Sequence, residues 1–133
     1  MSTVVDASVL VAALVDAGPD GQWAEEVVAS DMLLAPELAW VETANVLRRL
    51  EHAGKLTTSE AQAAYRDLMQ VRLEMFSFEP FAERIWHLRH NVNCYDAWYV
   101  ALAEALNLPL ATLDRRLAST SGPTCAFLVP PRR

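Results

Sequence analysis

A chain of 133 residues, 53% of them hydrophobic, holds enough apolar material for one core and too little length for two domains of ordinary size. Its 11 basic residues face 17 acidic ones, a net charge of -6, so its overall field repels nucleic acid and any contact of that kind has to be local. Cys94 and Cys125 show neither CxxC nor Cys/His spacing, which argues against a disulfide framework and against zinc.

Taken in chain order, "TVV" (3–5) is short, β-branched and apolar and predicts a buried strand; "ASVLVAALV" after Asp6 continues as a helix. "GPDG" (18–21) predicts a turn, and a second helix is expected from about Pro19 to Ala29. "MLLA" (32–35) predicts a strand, with Pro36 suited to the first position of the helix that follows. That helix is expected to reach about His52 and to stop at Gly54. Thr57 with Glu60 forms a capping-box pattern opening a helix to about Val71. "MFSF" (75–78) predicts a strand, Glu79–His90 a helix, and "NCYDAWYVALAEAL" (93–106) a helix that is apolar on most sides. "LPLAT" (108–112) predicts a strand, "DRRLAS" a short helix and "CAFLV" (125–129) a last strand. Alternating strands and helices imply a mostly parallel sheet covered on both faces, with its site beyond the carboxyl ends of the strands. No run approaches the roughly 18 apolar residues of a membrane span. The opening "MSTVVDASVL" also lacks a basic segment before its apolar stretch, so a cytoplasmic protein without membrane contact is expected.

Four carboxylates stand out on this frame. Asp6 follows the first strand directly and Asp114 comes two residues after "LPLAT", so both are expected at the carboxyl edge of the sheet; each alone also reads as a turn former or helix cap. Asp96 opens a helix that is otherwise apolar apart from Glu104. An N-cap explains that location, and a capping carboxylate still has a second oxygen for a cation. Glu42 falls on the border of the apolar arc of its helix, in line with Asn45 and Arg49, where pairing along the helix surface is the alternative to a functional role.

The segments "VVDASVL", "ETANVLRRL", "CYDAWYVALAEAL" and "LATLDRRL" together resemble the PIN-domain ribonucleases, and most of all the VapC-type toxins of bacterial toxin-antitoxin pairs. The likeness covers essentially the whole chain and thins over residues 55–92. It implies one PIN-like domain over 1–133, a three-layer α/β fold whose mostly parallel central sheet is flanked by helices. It implies that Asp6, Glu42, Asp96 and Asp114 form a catalytic acidic quartet, with Asp6, Asp96 and Asp114 as metal ligands and Ser8, Asn45 and Thr112 as supporting polar residues. It also implies an endoribonuclease toxin that a cognate VapB-type antitoxin neutralises, and a homodimer.

Elementary electrostatics supports a metal beside such a quartet. Two carboxylates ~6 Å apart at an effective dielectric near 20 repel by ~3 kcal/mol, so four of them strain a domain of ordinary stability unless protons or cations intervene. Oxygen donors without His or Cys favour a hard ion, Mg²⁺ or Mn²⁺. Such an ion suits phosphodiester hydrolysis by in-line attack of an activated water, with Glu42, or Asp114 oriented by Thr112, positioning the water or accepting its proton and a 5'-phosphate and 3'-hydroxyl as products. Arg48, Arg49, Arg115 and Arg116 lie beside these acids and are candidates for gripping RNA phosphates, against the alternative of solvated surface side chains. The aromatic residues, Tyr99 and Trp98 among them, sit at spacings expected of a core. Two further readings stand. In a HAD-like phosphatase Asp6 would be the nucleophile, but Ser8 occupies the place of a second Asp and the motif Lys is missing. A catalytically silent PIN-like module would bind RNA or protein, its acids only holding a cation structurally or recruiting basic partners.

Overall fold

The computed structural model describes residues 1–29 and 32–132. The elements are β1 (Ser2–Val5), α1 (Ala7–Val15), α2 (Pro19–Val28), β2 (Met32–Pro36), α3 (Leu38–His52), α4 (Thr58–Gln70), β3 (Leu73–Phe76), a 3-10 turn (Glu79–Phe81), α5 (Ala82–Leu88), α6 (Cys94–Leu106), β4 (Leu110–Ala111), α7 (Arg115–Ser119) and β5 (Phe127–Leu128). The five strands form one sheet in the order β3-β2-β1-β4-β5, every neighbouring pair parallel. Helices flank it, giving the three-layer α/β fold expected. α6, backed by α5, lies across β1, β2 and β4, while α1 packs with α2, α3 and α4.

A parallel sheet covered on both faces leaves its central strands no solvent side, and their sequences read accordingly as unbroken apolar runs. Val4 and Val5 of β1, Leu33, Leu34 and Ala35 of β2 and Leu110 and Ala111 of β4 are all buried. They meet Val9 and Leu10 of α1 and Val100 and Leu102 of α6 in one core. α6 carries a second acid as well, Glu104. Its two oxygens take a forked contact from Arg84 at 2.6 and 3.0 Å and a bond from the Thr124 amide at 2.7 Å, so that carboxylate is a structural anchor.

Several boundaries differ from those expected. Pro36 ends β2 rather than opening α3: it pairs with Phe76, and the donor it lacks is supplied one residue later, where the Glu37 amide bonds the Phe76 carbonyl at 3.0 Å. That register also fixes β3 at Leu73–Phe76, two residues earlier than its apolar run suggested, leaving Phe78 exposed. Gly18 and Pro19 form the cap and first position of α2 instead of a free turn. α5 stops at Leu88, and β4 and β5 are two-residue strands. The capping box at Thr57 and Glu60 forms in full. Among the described residues no helix is long and apolar enough to cross a membrane.

Candidate active site

Topology alone gathers the acids. The chain leaves β1 for β2 and β3 on one side, while β4 and β5 lie on the other, so the crevice between the carboxyl ends of β1 and β4 is the point where strand order reverses. Asp6 follows β1 and Thr112–Asp114 follow β4. α3 begins where β2 ends and carries Glu42 near its start. α6 leads back into β4 and therefore starts at the same edge, with Asp96 in its first turn.

Local hydrogen bonds then fix each side chain. Asp6 is only 6% exposed and caps α1, accepting from the Val9 amide at 3.2 Å and the Ser8 hydroxyl at 2.5 Å. Ser8 in turn accepts from the Leu113 amide at 3.0 Å, which ties the start of α1 to the segment after β4. The fully buried Thr112 hydroxyl accepts from the Asp114 amide at 3.0 Å and also bonds Asp6. Asp114 is exposed and caps α7, its Oδ1 taking the amides of Arg116 and Leu117 at 3.0 and 3.1 Å.

Asp96 is not the cap of its helix. That role belongs to Asn93, whose Oδ1 accepts from the Asp96 amide at 2.9 Å and whose amide nitrogen donates to Asp96 Oδ2 at 3.2 Å. Asn93 three residues ahead of an acid is a capping pattern, and that spacing is the signal by which the sequence announces it. Glu42 is half-buried and accepts a 2.7 Å hydrogen bond from Tyr99, a residue the sequence placed only in the core.

The acids feel one another. Burial pushes the Asp6 carboxyl up to about 6, against the hydrogen bonds from Ser8, Thr112 and Val9, and the Asp96 charge adds to the rise. Burial and the same Asp96 charge raise Glu42, while burial and the Asp114 charge raise Asp96 itself. Asp96 is therefore electrically linked to all three others. No Lys, Arg or His among the described residues shifts Asp6, Glu42 or Asp96 back down.

The remaining candidates separate. Asn45 is exposed, and among the described residues no hydrogen bond ties it to an acid. Arg49 and Arg116 are exposed, Arg48 lines a groove between α3 and α4 with Glu51, Gln62 and Tyr65, and Arg115 donates to the Pro130 carbonyl.

Among the described residues no three His, Cys, Asp or Glu side chains are arranged to cage an ion by themselves. A hydrated Mg²⁺ does not need such a cage, because it keeps several waters and takes one or two carboxylates. The unneutralised oxygens of Asp6 and Asp96, without nitrogen or sulfur beside them, fit that ion or Mn²⁺.

The description of a PIN domain matches residues 3–123 of this chain. The chain belongs to the PIN-domain family. Ribonuclease VapC9 of Mycobacterium tuberculosis is 40% identical over 97% of this chain and 98% of its own length. The crystal structure of PAE2754 from Pyrobaculum aerophilum superposes with a TM-score of 0.71 at 23% identity, covering 96% of this chain and 83% of that one. A toxin-antitoxin complex from Klebsiella pneumoniae gives a TM-score of 0.68 at 16% identity, with 98% and 99% covered. These structural likenesses speak for the PIN fold; the family assignment rests on residues 3–123 and on the VapC9 identity.

Proposed function

We propose that this PIN-domain protein is a divalent-metal-dependent endoribonuclease, the toxin of a toxin-antitoxin pair. One observation carries the reading: a carboxylate buried at the point where strand order reverses, Asp6, also feels the charge of Asp96, and among the described residues no basic side chain neutralises either. Such an arrangement is costly to fold, and a bound cation relieves that cost. The ribonuclease name of the VapC relative and the toxin-antitoxin neighbour supply the direction.

Asp6 and Asp96 would hold the ion, and Asp114, whose charge reaches Asp96, would act on it through a bound water. When bound, a hard ion polarises a phosphoryl oxygen and makes water a better nucleophile at neutral pH. Ser8, Val9 and Thr112 keep Asp6 from rotating away, and Asn93 does the same for Asp96. Glu42 has a raised proton affinity and is suited to take the proton of the attacking water. Arg49 and Arg116, exposed near the acids, take RNA phosphates. The phosphatase alternative is disfavoured because the Ser8 hydroxyl, where a second Asp would be required, is engaged with Asp6 and Leu113.

An open groove of about 590 Å³ runs from Ser8 and Leu113 along Val11, Val15, Val46 and Leu50. It is mostly apolar and begins beside the acids, which suits an amphipathic segment of the antitoxin that lays its apolar face there and turns a basic side chain toward them.

Purified protein is expected to cut structured RNA with Mg²⁺ or Mn²⁺ and to stop when chelator is added. Asp6→Asn and Asp96→Asn are expected to fold and to lose at least ~100-fold in rate. Intact tRNA, rRNA and mRNA after incubation with metal-loaded protein would instead favour a silent binding module.

A further inference from the structure

Tyr99 is 1% exposed, and its phenol donates to Glu42 Oε1 at 2.7 Å. It stands three residues after Asp96 on α6, so one face of this helix presents a carboxylate and, one turn on, a phenol. The two point toward the start of α3, where Glu42 sits. We propose that Tyr99 is a positioning residue for Glu42, holding the carboxylate by one oxygen so that the other, Oε2, is left toward the acids. This inference rests on the ribonuclease reading given above and adds to it a residue that holds the proton acceptor in place.

Three features support more than a buried tyrosine satisfying its hydroxyl. The bond spans 57 residues of sequence and joins two helices that meet at the carboxyl edge of the sheet. The phenol lies within the fields of Glu42, Asp6 and Asp96, and burial together with its bond to Glu42 holds its ionisation far above the ordinary tyrosine range, so it acts as a donor throughout the working pH. Among the described residues Glu42 accepts no other hydrogen bond, so without the phenol its three side-chain torsions are held by packing alone.

The test is a double-mutant cycle read in kcat and KM together with the position of Glu42. Tyr99→Phe keeps the ring and removes the donor; it is expected to lower kcat about tenfold to a hundredfold with KM changed by less than about twofold, because a bond to a charged group is lost while the RNA contacts stay. In a Glu42→Ala background, followed by single-turnover cleavage over long times, the same change is expected to alter the rate by less than about twofold. Crystal structures of the native chain and Tyr99→Phe are expected to show the Glu42 carboxylate displaced in the variant. An equal loss in both backgrounds, no loss in the native background, or a Glu42 that stays in place overturns the inference. If the native chain cuts no RNA the ribonuclease reading falls, and the displacement of Glu42 still decides the role of Tyr99.

Discussion

At Asp6 the energetic penalty of gathering carboxylates becomes measurable. Its proton is held more tightly in the folded chain, with a pKa near 6 against 3.8 for an unperturbed aspartate, so between those values the native state carries more protons than the unfolded one. Stability must then fall as pH rises through that window and stay lowered above it. A displacement of two pKa units corresponds to about 3 kcal/mol, and burial of Glu42 and Asp96 acts in the same direction. In the presence of chelator Asp6→Asn, which keeps an acceptor for the Val9 amide, is expected to melt above the native chain at about pH 7. The two should converge toward about pH 4. Mg²⁺ should raise the native melting temperature at about pH 7 and leave the variant nearly unchanged, since only the native site gains by binding it. Thermal melts across that range check all of this, and a constant gap at every pH would remove the buried charge from the account. The acids are singled out in the sequence only as a set, by their order and the resemblance it carries, because a carboxylate after a strand is by itself an ordinary turn former or cap. Tyr99 was not legible: at an apolar helical position its hydroxyl leaves no mark in one sequence that distinguishes it from the neighbouring Trp98.

Among the elements, those governed by local rules could be read and those governed by register could not. The box at Thr57 and Glu60 is a contact within one turn, and it forms as expected. The limits of β3 are set by pairing with β2, which begins some 40 residues earlier in the chain, so its apolar run misplaced it by two residues. The four-residue stretch at Gly18 joins both kinds. Pro19 opens α2 as local preference dictates, whereas Gly21 is required by its neighbour: a Cβ there would lie 1.8 Å from the Asp16 carbonyl oxygen at the end of α1. Backbone cannot yield as a flexible side chain does, so Gly21→Ala should force α1 and α2 apart and cost about 2 kcal/mol or more, despite alanine's better helix propensity. A urea midpoint at the native value would show that the two helices do not pack as closely as described.

On the scale of the whole molecule the net charge of -6 opposes the proposed substrate, and the placement of the arginines decides how many can serve it at the acid edge. Arg84 is committed to Glu104, Arg89 stacks over Trp86 at 4.1 Å, and Arg115 is held by the Pro130 carbonyl. Of the four arginines singled out by sequence, Arg48 turns into the groove against α4. Arg49 lies on the Glu42 side of α3, two helical turns on, and Arg116 is the second residue of α7, its amide bonded to Asp114. RNA binding should therefore involve few phosphates and show a shallow dependence on salt. Each phosphate contact contributes about 0.7 to the slope of log K against log salt for a single strand. Arg49→Ala and Arg116→Ala should each weaken binding several-fold and flatten that slope by about this amount, while Arg48→Ala should leave it within error. Measured by fluorescence anisotropy on the inactive Asp6→Asn chain, so that the RNA survives, a slope unchanged in Arg49→Ala and Arg116→Ala but reduced in Arg48→Ala would move the RNA path off the acid edge and onto the groove between α3 and α4.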